Sequence, residues 1–198
     1  MASPKGFLTL HSGRLRGKRI PVPRDGSVRP TTDRARERAL GLIEAHFRHR
    51  DGRLRWSGAR VLDAFAGSGA LGLEALGKGA GQLWLWDHAP AQVSALRHLL
   101  ASLNAEGATV AQQSALAPPS APQAMDLIFL DPPYGKGLVP AALAALKAAG
   151  WLDAPTLVYA ETEAAAPPPA EDFTVLAQRA SASSCLRLVA LKVERRSF

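Results

Sequence analysis

The chain has 198 residues, 47% of them apolar, with a mean hydropathy of −0.03, which suits one domain with its own core and argues against a disordered chain. No apolar run reaches the roughly 18–20 residues of a membrane span, and the single cysteine, Cys185, excludes an internal disulfide and a Cys-based zinc cluster. The net charge of +7 is uneven: residues 1–60 hold 15 Lys or Arg against 5 acids, and the remainder holds 9 against 12, so a basic first third that suits a polyanion is joined to a mildly acidic body.

Met1-Ala2-Ser3-Pro4-Lys5 has no apolar segment behind it, so no secretory signal is expected and the cytoplasm is the expected location. Phe7–Leu10 and Arg19–Val22 read as two short strands around a Gly13–Gly17 turn, carrying Arg14, Arg16, Lys18 and Arg19. Arg29-Pro30-Thr31-Thr32-Asp33 offers a helix start, with Arg34 just inside it and Leu40, Ile43 and Phe47 on one face. After a polar stretch to Gly58, strands and helices alternate. Strands are expected at Val61–Phe65, Leu83–Asp87, Thr109–Ala111, Met125–Leu130 and Thr156–Ala160. Helices are expected at Ala70–Lys78, from Pro90 to about Leu103, and at Val139–Ala149. An Ala/Pro run over 164–170 is a connection, and Phe173–Ala177 with Cys185–Val193 forms a closing antiparallel pair. Such alternation implies right-handed crossovers and a mostly parallel sheet covered on both faces. The division expected is a basic extension over 1–50 and an α/β domain over 51–198.

Two motifs carry chemistry. Gly67-Ser68-Gly69-Ala70-Leu71-Gly72 follows a strand and opens a helix, with Asp87 ending the next strand. That fits the dinucleotide fingerprint. Asp63, four residues before Gly67, opposes a phosphate-bearing cofactor, because like charges about 4 Å apart cost about 4 kcal/mol at an effective dielectric of about 20. A cationic donor without phosphate fits instead, and S-adenosylmethionine has a sulfonium and an α-ammonium. Asp131-Pro132-Pro133-Tyr134 follows the most apolar strand and would sit beside the glycine turn at the strand ends. Two prolines remove N–H donors and leave the Asp131 carboxylate and carbonyl oxygens as acceptors for an exocyclic base amine. Tyr134 can stack on that base, which is worth roughly 1–3 kcal/mol. The acceptor could equally be a DNA adenine or a protein glutamine amide, since this motif does not choose among amines.

Arg29-Pro30-Thr31-Thr32-Asp33-Arg34 with Arg36-Glu37, the run from Asp63 to Ala75, and Asp131–Tyr134 together closely resemble the bacterial 16S rRNA guanine-N2 methyltransferases of the RsmD type. The resemblance spans about residues 7–194. It implies a Rossmann-like class I methyltransferase with a seven-strand sheet, S-adenosylmethionine as donor, and one guanine of 16S rRNA, or of a small-subunit assembly particle, as acceptor. It also implies that the basic extension, through Arg14, Arg16, Lys18, Arg19, Arg29, Thr31 and Arg34, reaches over the site to hold RNA. Asp63, Phe65, Gly67, Ser68 and Gly69 are then the donor loop, and Asp131, Pro132, Pro133 and Tyr134 hold the target amine. Two positions depart from the family pattern. Leu85 stands where an acid often binds the ribose, leaving that contact to Asp87, and Ser114 is the polar candidate toward the adenine. A methyltransferase-fold assembly factor without catalysis is the contrasting reading. A monomer without metal or membrane contact is expected. Glu44, His46 and His49 read as a solvated face, Cys185 as a buried small residue, Trp84 and Trp86 as strand packing, and Trp151 as a helix-end anchor.

Overall fold

A computed structural model describes residues 6–22, 33–49 and 52–192. Among these residues nine strands and four helices alternate much as the hydrophobic pattern predicts. β1 (Phe7–Thr9) and β2 (Arg19–Pro21) form an antiparallel hairpin, and α1 (Asp33–His46) follows. The main sheet contains β3 (Arg60–Asp63), β4 (Gln82–Asp87), β5 (Ala108–Gln112), β6 (Leu127–Leu130), β7 (Leu157–Glu163), β8 (Phe173–Ala180) and β9 (Ser184–Leu191). Between them run α2 (Ala70–Gly77), α3 (Pro90–Leu103) and α4 (Val139–Ala148). The strand order is β5-β4-β3-β6-β7-β9-β8, with β9 running antiparallel to both β7 and β8. This is the mostly parallel seven-strand sheet that the sequence predicts. The chain order reverses between β3 and β6, so their carboxyl ends flank the switch point where open α/β sheets bind ligands.

Period-two alternation builds a core on each face of the sheet. Val61, Leu83, Leu85, Leu127, Phe129 and Tyr159 pack toward α2, α3 and the hairpin, whereas Leu62, Trp86, Ile128, Leu130 and Val158 pack toward α4. All four residues of β6 are buried, as expected of a strand covered on both faces. Trp86 meets Trp151 edge-on at 4.6 Å, and the Trp151 indole N–H donates to the Pro119 carbonyl at 2.7 Å, so both act as packing residues. Cys185 is buried. Glu44 does more than face solvent: it accepts the Trp56 indole N–H at 3.1 Å and pairs with Lys78 at 2.7 Å. Among the described residues no helix is long and apolar enough to cross a membrane.

The hairpin is welded to the sheet's core. Leu8, Leu10, Leu15 and Ile20 are buried in the same cluster as Leu73 and Leu76 of α2. A single 3-10 turn at Gly13–Leu15 brings two backbones together, and a Cβ added to Gly13 would lie 1.9 Å from the Gly77 carbonyl oxygen. Gly13 has φ +41°, so glycine answers two demands there, a left-handed turn and a close approach. Gly13→Ala is expected to destabilise the protein by about 2–4 kcal/mol, from left-handed strain of about 1–2 kcal/mol plus forced separation of α2. Urea unfolding checks this, and a loss below about 0.5 kcal/mol would mean the contact is dispensable. A buried pair adds to the weld. Arg36 donates to the Thr9 carbonyl at 2.6 Å and to Asp33 at 2.7 Å, and its Nε lies 3.8 Å from Glu74, whose carboxylate accepts the His11 amide at 2.9 Å.

Candidate active site

A cavity of about 1070 Å³ opens at the carboxyl ends of β3, β4, β6 and β7. The sequence-predicted donor residues Asp63, Phe65, Gly67, Ser68, Asp87 and Ser114 line it, and so do Asp131, Pro132, Pro133 and Tyr134. Gly69 does not. It turns the chain beneath the cavity wall with φ +77°, and a Cβ there would come within 2.8 Å of Leu96. Gly72 is needed for close helix–strand packing, since its Cβ would meet Leu85 at 2.7 Å. Leu85 is therefore the residue on which the glycine turn rests. Asp87, two residues on and on the same side of β4, reaches the cavity.

The strand ends fix the backbone of the glycine turn. β3 stops at Asp63, two residues before the predicted end at Phe65. From there the Ala64 amide donates to the Phe129 carbonyl at 3.1 Å and the Ala66 amide to the Trp86 carbonyl at 2.8 Å. Asp87 braces the turn by accepting the Gly67 amide at 3.2 Å and the Ala89 amide at 2.9 Å. A carboxylate has about four lone-pair sites, so both bonds leave room for hydroxyl donors from a ligand. The Gln92 amide donates to the Gly67 carbonyl from α3. Ser114 Oγ accepts the Leu116 amide at 3.2 Å, which leaves its hydroxyl hydrogen available to the cavity.

Asp63 is 2% exposed and accepts the Gly72 amide at 3.1 Å. Its carboxyl is pushed up to about 7, first by burial and then by Asp131 and Asp87, against lowering by the amides of Gly72 and Phe65. The carboxylates of Asp131 and Asp87 thus both act on Asp63 at the strand ends. A bound cation would relieve that repulsion, whereas a pyrophosphate would add to it. The chain's own residues fit a cationic donor.

Tyr134 is 51% exposed at the cavity rim, in a position to meet a ligand with its ring. Glu161 and Glu163, which the sequence reading missed, also line the cavity. Strand β7 runs three residues past its predicted end at Ala160, because an edge of polar residues at a strand's end continues the ladder without an apolar signal. The alternating Glu161-Thr162-Glu163 was the available clue. On the hairpin, Arg14 donates to the Glu106 carbonyl at 2.9 Å, while Arg16, Lys18 and Arg19 are exposed, with the Arg19 guanidinium 4.3 Å from the Phe7 ring centre. Arg34 is exposed on α1, and Arg29 and Thr31 lie outside the described residues.

Residues 8–190 match the family described as "Conserved hypothetical protein 95". The chain belongs to that family, the RsmD type its motifs resemble. Ribosomal RNA small subunit methyltransferase D of Escherichia coli strain K12 is 36% identical over 164 residues, covering 81% of this chain and 77% of that protein. The protein of the same name from Haemophilus influenzae is 31% identical over 190 residues, covering 93% of this chain and 94% of that one. Among solved structures, the Escherichia coli protein yhhF superposes with a TM-score of 0.80 at 30% identity, over 96% of this chain and 100% of that one. The RsmD-family chain has the class I methyltransferase fold.

Proposed function

We infer that this RsmD-family chain transfers a methyl group from S-adenosylmethionine to the N2 amine of a guanine in small-subunit rRNA. One observation carries the reading: the Asp63 glycine turn and the Asp131–Tyr134 loop line one cavity, with Asp131 and Asp87 both acting on the buried Asp63. When bound, the donor supplies an electrophilic methyl on a sulfonium. Asp63 holds its ammonium, the Gly67 and Ser68 backbone lies along its amino-acid part, Asp87 takes the ribose hydroxyls and Ser114 the adenine edge. Asp131 and the carbonyl oxygens of the double-proline loop accept the hydrogens of the target amine and draw its nitrogen toward a tetrahedral shape. The positive charge that grows on nitrogen is stabilised by those same acceptors, which the rigid prolines hold in place in advance, and the surplus proton leaves the nitrogen for solvent after transfer. Tyr134 stacks on the base. Residues 1–50 form the RNA-holding part and 51–198 the methyltransferase domain, acting as a monomer in the cytoplasm.

Small-subunit rRNA or particles from cells lacking the gene should take up one methyl per RNA, recovered as N2-methylguanosine after nucleoside digestion. Recovery as N6-methyladenosine, or no transfer to RNA at all, would replace this reading. The same substrate tests the arm. Binding by phosphate contacts weakens with salt, by about 0.7 in the logarithmic slope for each single-strand contact. Replacing Arg14, Arg16 and Arg19 by Ala should flatten the slope by roughly 2, with donor affinity unchanged. Equal loss for RNA and donor would point to misfolding of the hairpin, and an unchanged slope would leave the arm as ordinary surface.

A further inference from the structure

The segment after the double proline, Tyr134-Gly135-Lys136-Gly137, is exposed, and Gly135 and Gly137 both have positive φ, +77° and +57°. Pro132 and Pro133 just before it donate nothing, and no helix or strand begins until Val139. What reaches it is a carboxylate from the neighbouring strand: Glu163, the last residue of β7, accepts the Gly135 amide at 2.5 Å. Its own amide, with those of Gly135, Gly137 and Lys136, holds its carboxyl below the usual range. The left-handed turn at Gly135 lets its amide face that carboxylate.

We propose that Glu163 is a positioning residue whose carboxylate ties down the loop bearing Tyr134, setting where the target base is held. This rests on the methyltransferase reading, with Glu163 acting through the loop and not touching the methyl group. The pairing of β6 with β7 in register, Leu130 beside Ala160, makes β7 the strand that can supply such a tie. Glu163 is absent from the acceptor motif itself because its contribution comes from across the sheet.

The test reads the loop and the chemistry separately. Trypsin cleavage after Lys136, identified by the mass of the fragment starting at Gly137, reports local opening. In Glu163→Ala this cut should run at least tenfold faster. The turnover rate on rRNA should fall at least tenfold, and donor affinity by calorimetry should stay within twofold. Glu163→Gln keeps an acceptor oxygen and should recover more than a third of the activity, whereas Glu163→Met, of similar size but without that acceptor, should behave like the Ala variant. Recovery in Glu163→Met would assign the side chain to packing and overturn the proposal. Should the Ala variant not fold, Glu163→Asp, with its shortened reach, carries the same readouts. An unchanged cut rate overturns the proposal, and so does a loosened loop with undiminished turnover. If the unaltered protein methylates no rRNA, the functional reading fails, while the cut rate still reports on the tie.

Discussion

Replacing Asp131 by Ala is expected to slow methyl transfer by about 10²–10³-fold, the usual cost of removing one preorganised group aimed at developing charge. The side chain sits directly after the fully buried strand β6, so its backbone cannot drift, and Pro132 and Pro133 stiffen the next two residues. That rigidity puts the effect in the rate of the chemical step. Single-turnover measurements with saturating donor should therefore show the loss, while donor affinity changes by less than about threefold. Asp131→Asn retains one acceptor oxygen and should fall between. A rate within tenfold of the original protein would take Asp131 out of the reaction. Equal loss of donor binding would assign it to the donor pocket.

The second large effect belongs to Asp63 and shows as pH dependence. Its carboxyl titrates near 7 in the donor-free protein because it is buried beside Asp131 and Asp87. The ammonium of the donor favours the ionised form, so binding below pH 7 must drive off a proton. Affinity should therefore rise about tenfold between pH 6 and pH 8 and level off above, with proton release visible by calorimetry in buffers of different ionisation enthalpy. Asp63→Asn should abolish that dependence and bind about tenfold or more weakly at pH 8, having lost a charge-assisted hydrogen bond. Stability moves the other way. A carboxyl raised in the folded state favours folding fully below its unfolded value near 4, and that contribution is lost as pH rises toward 7. Without donor, Asp63→Asn should thus melt higher than the original protein at pH 8. PH-independent donor affinity in the original protein would remove the ammonium contact and reopen the dinucleotide alternative.

Most of this architecture is legible in the chain because apolar spacing encodes it. Val61-Leu62, Leu83–Trp86 and Leu127–Leu130 announce buried strands, and Gly67–Gly72 with Asp131–Tyr134 mark where they end. Two kinds of feature escape. Where a strand continues in polar residues, as in Glu161–Glu163, periodicity in hydrophobicity is silent although the ladder goes on. Where a group is fixed by partners distant in sequence, as Arg36 is by Thr9 and Glu74, no local pattern exists to read. Asp63 lies between these cases. Its type and place follow from the motif, but its titration near neutral pH depends on burial and on two carboxylates from other strands.

The contact between Gly13 and Gly77 separates two classes of change that the hairpin can accept. Its inward set, Leu8, Leu10, Gly13, Leu15 and Ile20, is tied to α2, so substitutions there are felt as lost protein. Its outward set, Arg16, Lys18 and Arg19, touches solvent and can be exchanged without disturbing the core. Descendants of such a chain can therefore retune their grip on a polyanion one surface charge at a time. The donor end and the acceptor loop, carried on other elements, stay as they are.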